Sequence, residues 1–179
     1  VIGVWEKILK AAPTARFVIK TKEFLTPKIH DQFLNTFKDK SVLDRVTIMP
    51  YSDTYGDHLP DYNKMDIALD TFPYSGTTTS CESLMMGVPV LTLFDNVRHY
   101  HSQNVTSSLM KNCGLDDYVT YSQEEYINKA VWFANNYGKL SNLKKEVRDA
   151  FVNGPICDYK SFVNEFEDKL ISTYKNHKW

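Results

Sequence analysis

The stretch from Asp66 to Val90 constrains the fold more than any other part of the chain. Asp66–Asp70 is typical of a buried strand, and a turn-rich loop follows it. Thr77–Thr79 then open a short helix, which Gly87 ends before the next strand begins. This order places the free N–H groups of a helix N-terminus at the carboxyl end of a strand. Because phosphates and other anions bind at such places, the stretch predicts an anion site.

A helix cap is the competing interpretation of these hydroxyls. Thr79 and Glu82 fit a capping box, in which a Ser or Thr is followed three residues later by Glu. One cap needs one hydroxyl, however, whereas three stand here behind Ser75 and Gly76, and a glycine lets backbone approach a ligand. The stretch lacks the Gly-Lys-Ser/Thr of a Walker motif and the Gly-x-Gly-x-x-Gly pattern. Spacing alone therefore leaves both the cap and the phosphate site open.

Strands alternate with helices along the whole chain, which favours a Rossmann-like α/β fold with a mostly parallel sheet and helices on both faces. Residues 1–179 are predicted to form a single domain that ends in helices. The predicted strands are 16–20, 45–49, 66–70, 89–94 and 118–120. Helices are predicted at 4–11, 27–38, 58–64, 140–151 and 158–175. Three more are predicted: one that begins at the threonines 77–79, one around 105–113, and one that begins at a capping box at 122–125.

Charge and cysteine content exclude several classes of function. The chain has 21 basic and 22 acidic residues, a formal net charge of -1, so bulk charge does not favour a nucleic-acid or membrane-surface partner. No apolar run is long enough to span a bilayer. The cysteines Cys81, Cys113 and Cys157 lie far apart in sequence, which predicts reduced thiols and an intracellular protein, cytoplasmic or nuclear.

The sequence predicts no metal site. Four aspartates lie close together, but their spacing is not that of a calcium loop, and solvated carboxylates are expected at Asp53, Asp57, Asp61 and Asp66. His99 and His101 stand two residues apart without a third ligand nearby. Since they follow a strand, we expect them near the loop before Thr77 instead.

The residues from Asp66 to Leu84, with Met86 to Val90, resemble the signature of the protein O-GlcNAc transferase and SPINDLY family. These enzymes are glycosyltransferases of the two-lobed GT-B type. Weaker similarity extends over nearly the whole chain. In detail, the 70–82 run is closer to SPINDLY and bacterial relatives than to animal O-GlcNAc transferase, which has a histidine at the position of Thr77. The resemblance implies that the chain is the donor-binding half of a GT-B fold.

The resemblance also implies roles for individual residues. Behind Gly76, Thr77, Thr78 and Thr79 would hold the diphosphate of a sugar nucleotide, and Glu82 would bind its ribose. The segment after the second strand would line the base pocket with backbone groups, and two histidines would lie near the donor. These residues are Met49, Pro50, Tyr51, His58 and His101. His58 is a candidate catalytic group, and no metal cofactor is expected.

Two features of the family lie outside this sequence. A phosphate-binding lysine stands just upstream of Val1 in the family, and Lys20 and Lys22 occupy other positions. The N-terminal lobe and the helical repeats, which contribute acceptor binding and catalytic groups, are also absent. We therefore expect a fragment without transferase activity alone, whose protein acceptor binds through the missing regions. Its uncovered apolar face is expected to favour self-association.

The implied activity is transfer of a sugar from UDP-GlcNAc or GDP-fucose to Ser or Thr hydroxyls. Animal O-GlcNAc transferase has an arginine near the uracil where this chain has Asp61. Since guanine offers a carboxylate two adjacent N–H donors and uracil offers one, Asp61 favours a GDP-sugar. Two alternatives remain at this stage: a non-catalytic nucleotide-binding module, and a GT-B enzyme that acts on a glycan or lipid.

Overall fold

Strands and helices alternate along the part of the chain that the computed structural model describes, residues 1–97 and 100–177. The five strands are β1 Phe17–Ile19, β2 Val46–Ile48, β3 Ala68–Leu69, β4 Val90–Leu93 and β5 Val119–Thr120. The eight helices are α1 Ile2–Ala11, α2 Pro27–Thr36, α3 Tyr55–His58, α4 Thr78–Met85, α5 His101–Asn112, α6 Gln123–Asn135, α7 Tyr137–Val152 and α8 Tyr159–Asn176.

Every strand pair in the described residues is parallel. β1 pairs with β2, with Phe17 opposite Val46, and β4 lies between β3 and β5, with Ala68 of β3 opposite Val90. Parallel neighbours need a crossover connection, and helices supply it here. The predicted order of five strands in an α/β fold is confirmed, although each strand is shorter than its predicted range.

β4 lies at the centre of the core. Val90 and Leu91 are buried, and so is the polar side chain of Thr92 between them and the end of the strand. A strand covered on both faces buries consecutive residues, which explains why Val90, Leu91 and Thr92 are all buried. The core continues onto α4 through Leu84 and onto α6 through Tyr126, both fully buried.

Gly87 ends α4 as predicted. Its φ is +77°, in the left-handed region that glycine tolerates, and a Cβ there would come within 2.4 Å of the Lys144 carbonyl oxygen. The close approach allows α7 to pack against α4. This packing supports the helix that carries the predicted anion site.

Several helix boundaries differ from the predicted ranges, and the starts of α3 and α7 are two of them. Residues 51–56 were expected to be a loop, but α3 begins at Tyr55 because the hydroxyl of Thr54 caps it by accepting from the Asp57 N–H. A 3-10 helix, Leu59–Lys64, continues directly from α3. α7 begins at Tyr137 rather than Leu140, so that a single residue separates it from α6.

α8 buries none of its residues. Its predicted apolar face is present, but the side chains at helical spacing along it are exposed: Phe162, Val163, Phe166, Leu170 and Ile171. The helix therefore presents an apolar stripe that the described residues leave uncovered. Across the described residues, no helix combines the length and apolar character that crossing a membrane requires.

Candidate functional site

The N-terminus of α4 is open to solvent. Thr77 is the N-cap residue, and no side chain among the described residues caps the helix. Thr77, Thr78 and Thr79 are all exposed. The capping-box interpretation of Thr79 and Glu82 is therefore wrong, because the N-cap is Thr77, two residues before Thr79, and the Glu82 side chain contacts Tyr62 instead. Three hydroxyls and the first-turn N–H groups are thus available to an anion.

Asp70 fixes the loop that leads into α4. Its Oδ1 accepts from the Gly76 N–H at 2.8 Å, and its Oδ2 accepts from the Thr92 hydroxyl at 2.7 Å. Burial raises the pKa of the Asp70 carboxyl, and these hydrogen bonds oppose the rise. A Cβ at Gly76 would lie 2.5 Å from Ser80 Oγ and 3.0 Å from Thr79 Oγ1. Gly76 is therefore required for the loop to lie this close to the helix.

The start of α5 braces the same loop. The Ser75 N–H donates to the Ser102 carbonyl at 2.9 Å, and the Thr106 hydroxyl donates to the Gly76 carbonyl at 2.9 Å. Ser80 Oγ lies 2.9 Å from Thr106 Oγ1 inside this contact. His101, the first residue of α5, is exposed beside Ser102. The structure thus places His101 next to a residue that holds the loop.

Glu82 is buried one turn into α4, where two side chains from the segment between β2 and β3 contact it. The Tyr62 hydroxyl donates to Glu82 Oε2 at 3.0 Å, and His58 Nε2 lies 3.2 Å from the same oxygen. Burial, followed by the charge of Glu82, raises the pKa of the Tyr62 hydroxyl, so Tyr62 stays a donor at neutral pH. A buried carboxylate with fixed donors is suited to bind a ligand through its remaining lone pairs.

Lys20 follows β1 and lies at the centre of a second group of contacts. Its Nζ lies 2.6 Å from Asp61 Oδ2, 2.5 Å from Ser52 Oγ and 3.1 Å from His58 Nδ1. Lys64 contacts the other Asp61 oxygen at 2.8 Å. The hydrogen bond from Lys20, and then that from Lys64, lowers the pKa of the Asp61 carboxyl. Because His58 contacts both Lys20 and Glu82, the two groups form one network.

The predicted base-binding segment lies at the end of β2. Met49 is buried, and its N–H donates to the Ile19 carbonyl at 2.9 Å, so that N–H is used within the sheet. Pro50 has no N–H, and Tyr51 is exposed. The groups that this segment would offer a base are therefore its carbonyls and the Tyr51 backbone and ring.

The ends of three strands converge on this region, as expected for parallel strands. Lys20 follows β1, Ser52 follows β2 and Asp70 follows β3. The sequence predicted His58, Asp61 and the α4 residues, whereas Lys20, Ser52, Tyr62 and Asp70 were not assigned roles at the site. Their positions in the sequence could have indicated a role. Lys20, Ser52 and Asp70 lie at or soon after the carboxyl end of a predicted strand, and Tyr62 lies one helical turn after His58.

The cysteines are closer in space than in sequence. Burial is the main cause that raises the pKa of the Cys81 and Cys113 thiols, and the charge of Cys157 adds to the rise of both. None of the three forms a disulfide. No group of three His, Cys, Asp or Glu side chains in the described residues is placed to hold a metal ion, and His99 lies outside those residues.

A cavity of about 770 Å³ lies away from the network, between α6, α7 and the turn before β5. Its walls include Leu115, Trp132, Phe133 and Val147. None of the residues predicted from the sequence to bind a donor lines it.

Parallel strands that end beside an open helix N-terminus, with a buried carboxylate one turn along, define an α/β protein with the strand-end arrangement at which anions commonly bind. The model of Glycosyl transferase family 41 matches residues 1–166. The chain belongs to glycosyl transferase family 41, a family of glycosyltransferases, and the predicted family resemblance is confirmed.

Its relatives include proteins named probable UDP-N-acetylglucosamine–peptide N-acetylglucosaminyltransferase SPINDLY. The chain is 38% identical to that of Hordeum vulgare over 178 residues, covering 99% of this chain and 18% of the relative. It is 40% identical to that of Arabidopsis thaliana over 178 residues, covering 99% and 19%. The chain thus spans less than a fifth of the length of these relatives.

A solved structure supports the same fold. A mutant of Thermobaculum terrenum O-GlcNAc transferase superposes with a TM-score of 0.83 at 36% sequence identity. The superposition covers 94% of this chain and 32% of that protein. The predicted α/β fold as part of a GT-B glycosyltransferase is therefore confirmed.

Proposed function

We propose that this chain is the donor-binding lobe of a protein O-glycosyltransferase and that the carboxyl ends of its strands bind a nucleotide diphosphate sugar. The observation that carries the proposal is the pairing of the uncapped, exposed threonines Thr77–Thr79 with the buried carboxylate of Glu82 one helical turn away. The first would meet the diphosphate and the second the ribose. Family membership supports the reaction class.

The threonines would act on the leaving group. Glycosyl transfer breaks the bond between the anomeric carbon and the diphosphate, and negative charge develops on the phosphate oxygens. Hydroxyls and N–H groups at a helix N-terminus stabilise such charge, and they would do so here without requiring a metal ion. The Gly76 N–H donates to Asp70, and the Thr106 hydroxyl of α5 donates to the Gly76 carbonyl. These hydrogen bonds hold the loop in place before the donor binds, so that little reorganisation accompanies the reaction.

Glu82 would accept hydrogen bonds from the ribose hydroxyls. Its Oε2 already accepts from Tyr62 and lies 3.2 Å from His58, and the carboxylate also interacts with the Tyr55 hydroxyl. Its remaining lone pairs would accept from a ligand. Acidic residues bind ribose in the same way in other nucleotide folds. This arrangement explains why a carboxylate is buried at an otherwise open helix end.

The donor is proposed to be UDP-GlcNAc or GDP-fucose, with Ser and Thr hydroxyls of proteins as acceptors. The names of the relatives support UDP-N-acetylglucosamine and a peptide acceptor. Asp61 is the residue whose carboxylate would favour guanine, but both of its oxygens are in contact with lysines. A guanine base would have to displace Lys64 to reach this carboxylate.

Titration calorimetry of the chain with UDP and with GDP tests the proposal. We expect saturable binding of at least one nucleotide, and loss of that binding when Thr77, Thr78 and Thr79 are replaced together by valine. A matched triple variant on the exposed α8 surface, Ser161→Ala, Ser172→Ala and Thr173→Val, should bind like the unchanged chain. Failure of both nucleotides to bind would overturn the proposal.

An activity assay tests the second half of the proposal. Because the catalytic groups of the other lobe are required, we expect no glycosyl transfer to a peptide by these 179 residues alone. Robust turnover would show that the chain contains a complete active site.

A further inference from the structure

We propose that Lys20 is a positioning residue of the donor site, which acts by fixing the tautomer of His58 and so the orientation of Glu82. This inference rests on the proposed function in one respect: it takes Glu82 as the ligand-binding carboxylate. Lys20 itself contacts Asp61, Ser52 and His58, and it is not placed as a ligand contact.

The environment of Lys20 is that of a buried cation with every proton assigned. Its side chain is 8% exposed, and that of Asp61 is 13% exposed. An ammonium group has three N–H donors. Three acceptors surround it: Asp61 Oδ2 at 2.6 Å, Ser52 Oγ at 2.5 Å and His58 Nδ1 at 3.1 Å. A cation this far from water persists only when it is paired and hydrogen-bonded, as this one is.

The chemistry of the ammonium group then decides the state of His58. A lysine ammonium donates and cannot accept, so Nδ1 of His58 must carry a lone pair. In the neutral ring the proton therefore lies on Nε2. That nitrogen is 3.2 Å from Glu82 Oε2, and it donates to the carboxylate. The opposite tautomer would face the Lys20 protons with its own N–H and would turn a lone pair toward Glu82.

The consequence is a carboxylate with a fixed plane. Glu82 Oε2 accepts one hydrogen bond from His58 Nε2 and one from the Tyr62 hydroxyl at 3.0 Å. The ligand then meets an acceptor whose orientation is set before binding, which reduces the ordering cost of binding. Lys20 does not touch Glu82; it contacts His58, and it acts on the Glu82 carboxylate through that ring.

The same geometry assigns Asp61 as the anchor of Lys20. Its Oδ2 contacts the buried Lys20, and its Oδ1 contacts Lys64, whose side chain is 63% exposed. Exposed ion pairs contribute little, so Lys64 is a minor partner. Asp61→Asn should therefore weaken UDP and GDP binding by the same factor, whereas a base-reading role would weaken GDP binding alone.

Nitrogen NMR of histidine-labelled chain tests the tautomer without any ligand. The chain has 5 histidines, and His58→Gln identifies the His58 signals. We expect His58 in the unchanged chain to show a protonated Nε2 and an unprotonated Nδ1. Lys20→Met should shift the ring toward a mixture of tautomers and weaken binding of whichever nucleotide the unchanged chain binds by roughly tenfold, since the Glu82 carboxylate is then less well ordered before binding.

Two further variants separate positioning from charge and from folding. Lys22→Met removes the same charge from an exposed position two residues along and should change neither the tautomer nor the affinity. Lys20→Arg keeps a group that only donates, so it should preserve the Nε2 proton and most of the affinity. If Lys20→Met fails to fold, the unchanged chain and Lys20→Arg still decide the matter.

The outcomes distinguish this inference from the proposed function. A proton on Nδ1 in the unchanged chain overturns the inference, whatever the nucleotide binding. So does a Lys20→Met variant that loses affinity with its His58 tautomer unchanged, or that keeps both. If the unchanged chain binds neither UDP nor GDP while its His58 carries the Nε2 proton and Lys20→Met shifts it, the proposed function fails and the control of the ring by Lys20 stands.

Discussion

The Tyr62 hydroxyl donates to Oε2 of Glu82 over 3.0 Å. Tyr62 belongs to the 3-10 helix that precedes β3, and Glu82 belongs to α4, which follows β3. The contact therefore links the segment before β3 to the helix after it. It holds a buried carboxylate at the position where a nucleotide ribose would lie beside the α4 threonines.

Glu82→Gln should weaken nucleotide binding by roughly tenfold to a hundredfold. The variant keeps the shape of the side chain but removes the charge, and hydrogen bonds to a charged group contribute about 1.5–3 kcal/mol. Calorimetry with UDP and GDP measures the change, and circular dichroism confirms the fold. Glu167→Gln on exposed α8 is the matched control. Equal affinities for all three chains would remove Glu82 from the site.

Gly76→Ala should distort the start of α4 and abolish nucleotide binding. The new Cβ would lie 2.5 Å from Ser80 Oγ, which is itself held by Thr106 at 2.9 Å, so the hydroxyl cannot move without breaking that contact. Overpacking of this kind costs about 1–3 kcal/mol, which urea unfolding would measure. Gly3→Ala is the control, because no atom lies within 4 Å of its added Cβ. A stable variant with unchanged binding would contradict the close-approach role.

Local patterns predicted helix starts and stops well where a residue type has one well-defined structural role, such as glycine at a helix C-terminus or serine at an N-cap. The stop at Gly87 follows from its positive φ, and the start of α6 follows from Ser122, which accepts from the Glu125 N–H as its capping box requires. The missed start of α3 had the same kind of signal, since Thr54 and Asp57 form a cap that the glycine at 56 obscured.

The contacts of the site could not be predicted in the same way. Lys20 and Asp61 are 41 residues apart, and no periodicity or spacing connects them. The local pattern of Thr79 and Glu82 was misleading, because the Glu82 side chain contacts Tyr62 and His58 instead of the helix end. Partner choice among side chains depends on tertiary packing, which places strand ends side by side only after the sheet forms.

Asp70 should make the protein less stable as pH rises. Burial raises the pKa of its carboxyl in the folded state, so the folded chain binds the proton more tightly than the unfolded chain. Stability then falls as pH rises from the unfolded value, about 3.9, through the folded pKa. In Asp70→Asn this contribution is absent, and the variant should gain stability relative to the unchanged chain over that window.

Urea unfolding from pH 4 to pH 7, followed by tryptophan fluorescence, measures this difference. Asp44→Asn, at an exposed position, controls for loss of a charge. A difference in unfolding free energy between Asp70→Asn and the unchanged chain that stays constant with pH would contradict the assignment.

Asp61 should have the opposite dependence. The hydrogen bond from Lys20 lowers the pKa of its carboxyl, so its contribution to stability is fully present above the unfolded value and is lost as pH falls through the folded pKa. Asp61→Asn should destabilise the chain by about 3 kcal/mol at neutral pH, because Lys20 is left buried without its counter-charge.

That penalty should shrink as pH falls from about 4 through the lower folded pKa of Asp61, because the unfolded chain takes up the proton first and the folded chain then loses the ion pair. Unfolding in urea at descending pH provides the comparison. The double variant Lys20→Met with Asp61→Asn should be more stable than Asp61→Asn alone, since no cation is then buried. If the two substitutions were simply additive, the ion pair would not be the source of the effect.

The exposed stripe on α8 should drive self-association of the chain. Phe162 and Phe166 are stacked with ring centroids 6.1 Å apart, and they are 67% and 53% exposed. Burial of one such ring contributes about 2 kcal/mol, so Phe162→Ser with Phe166→Ser should weaken association at least tenfold. Tyr137→Ser, on α7 and 70% exposed, removes an exposed ring from another helix and should leave association unchanged. Sedimentation velocity over a concentration series measures both, and a single monomeric species at every concentration of the unchanged chain would contradict the expectation.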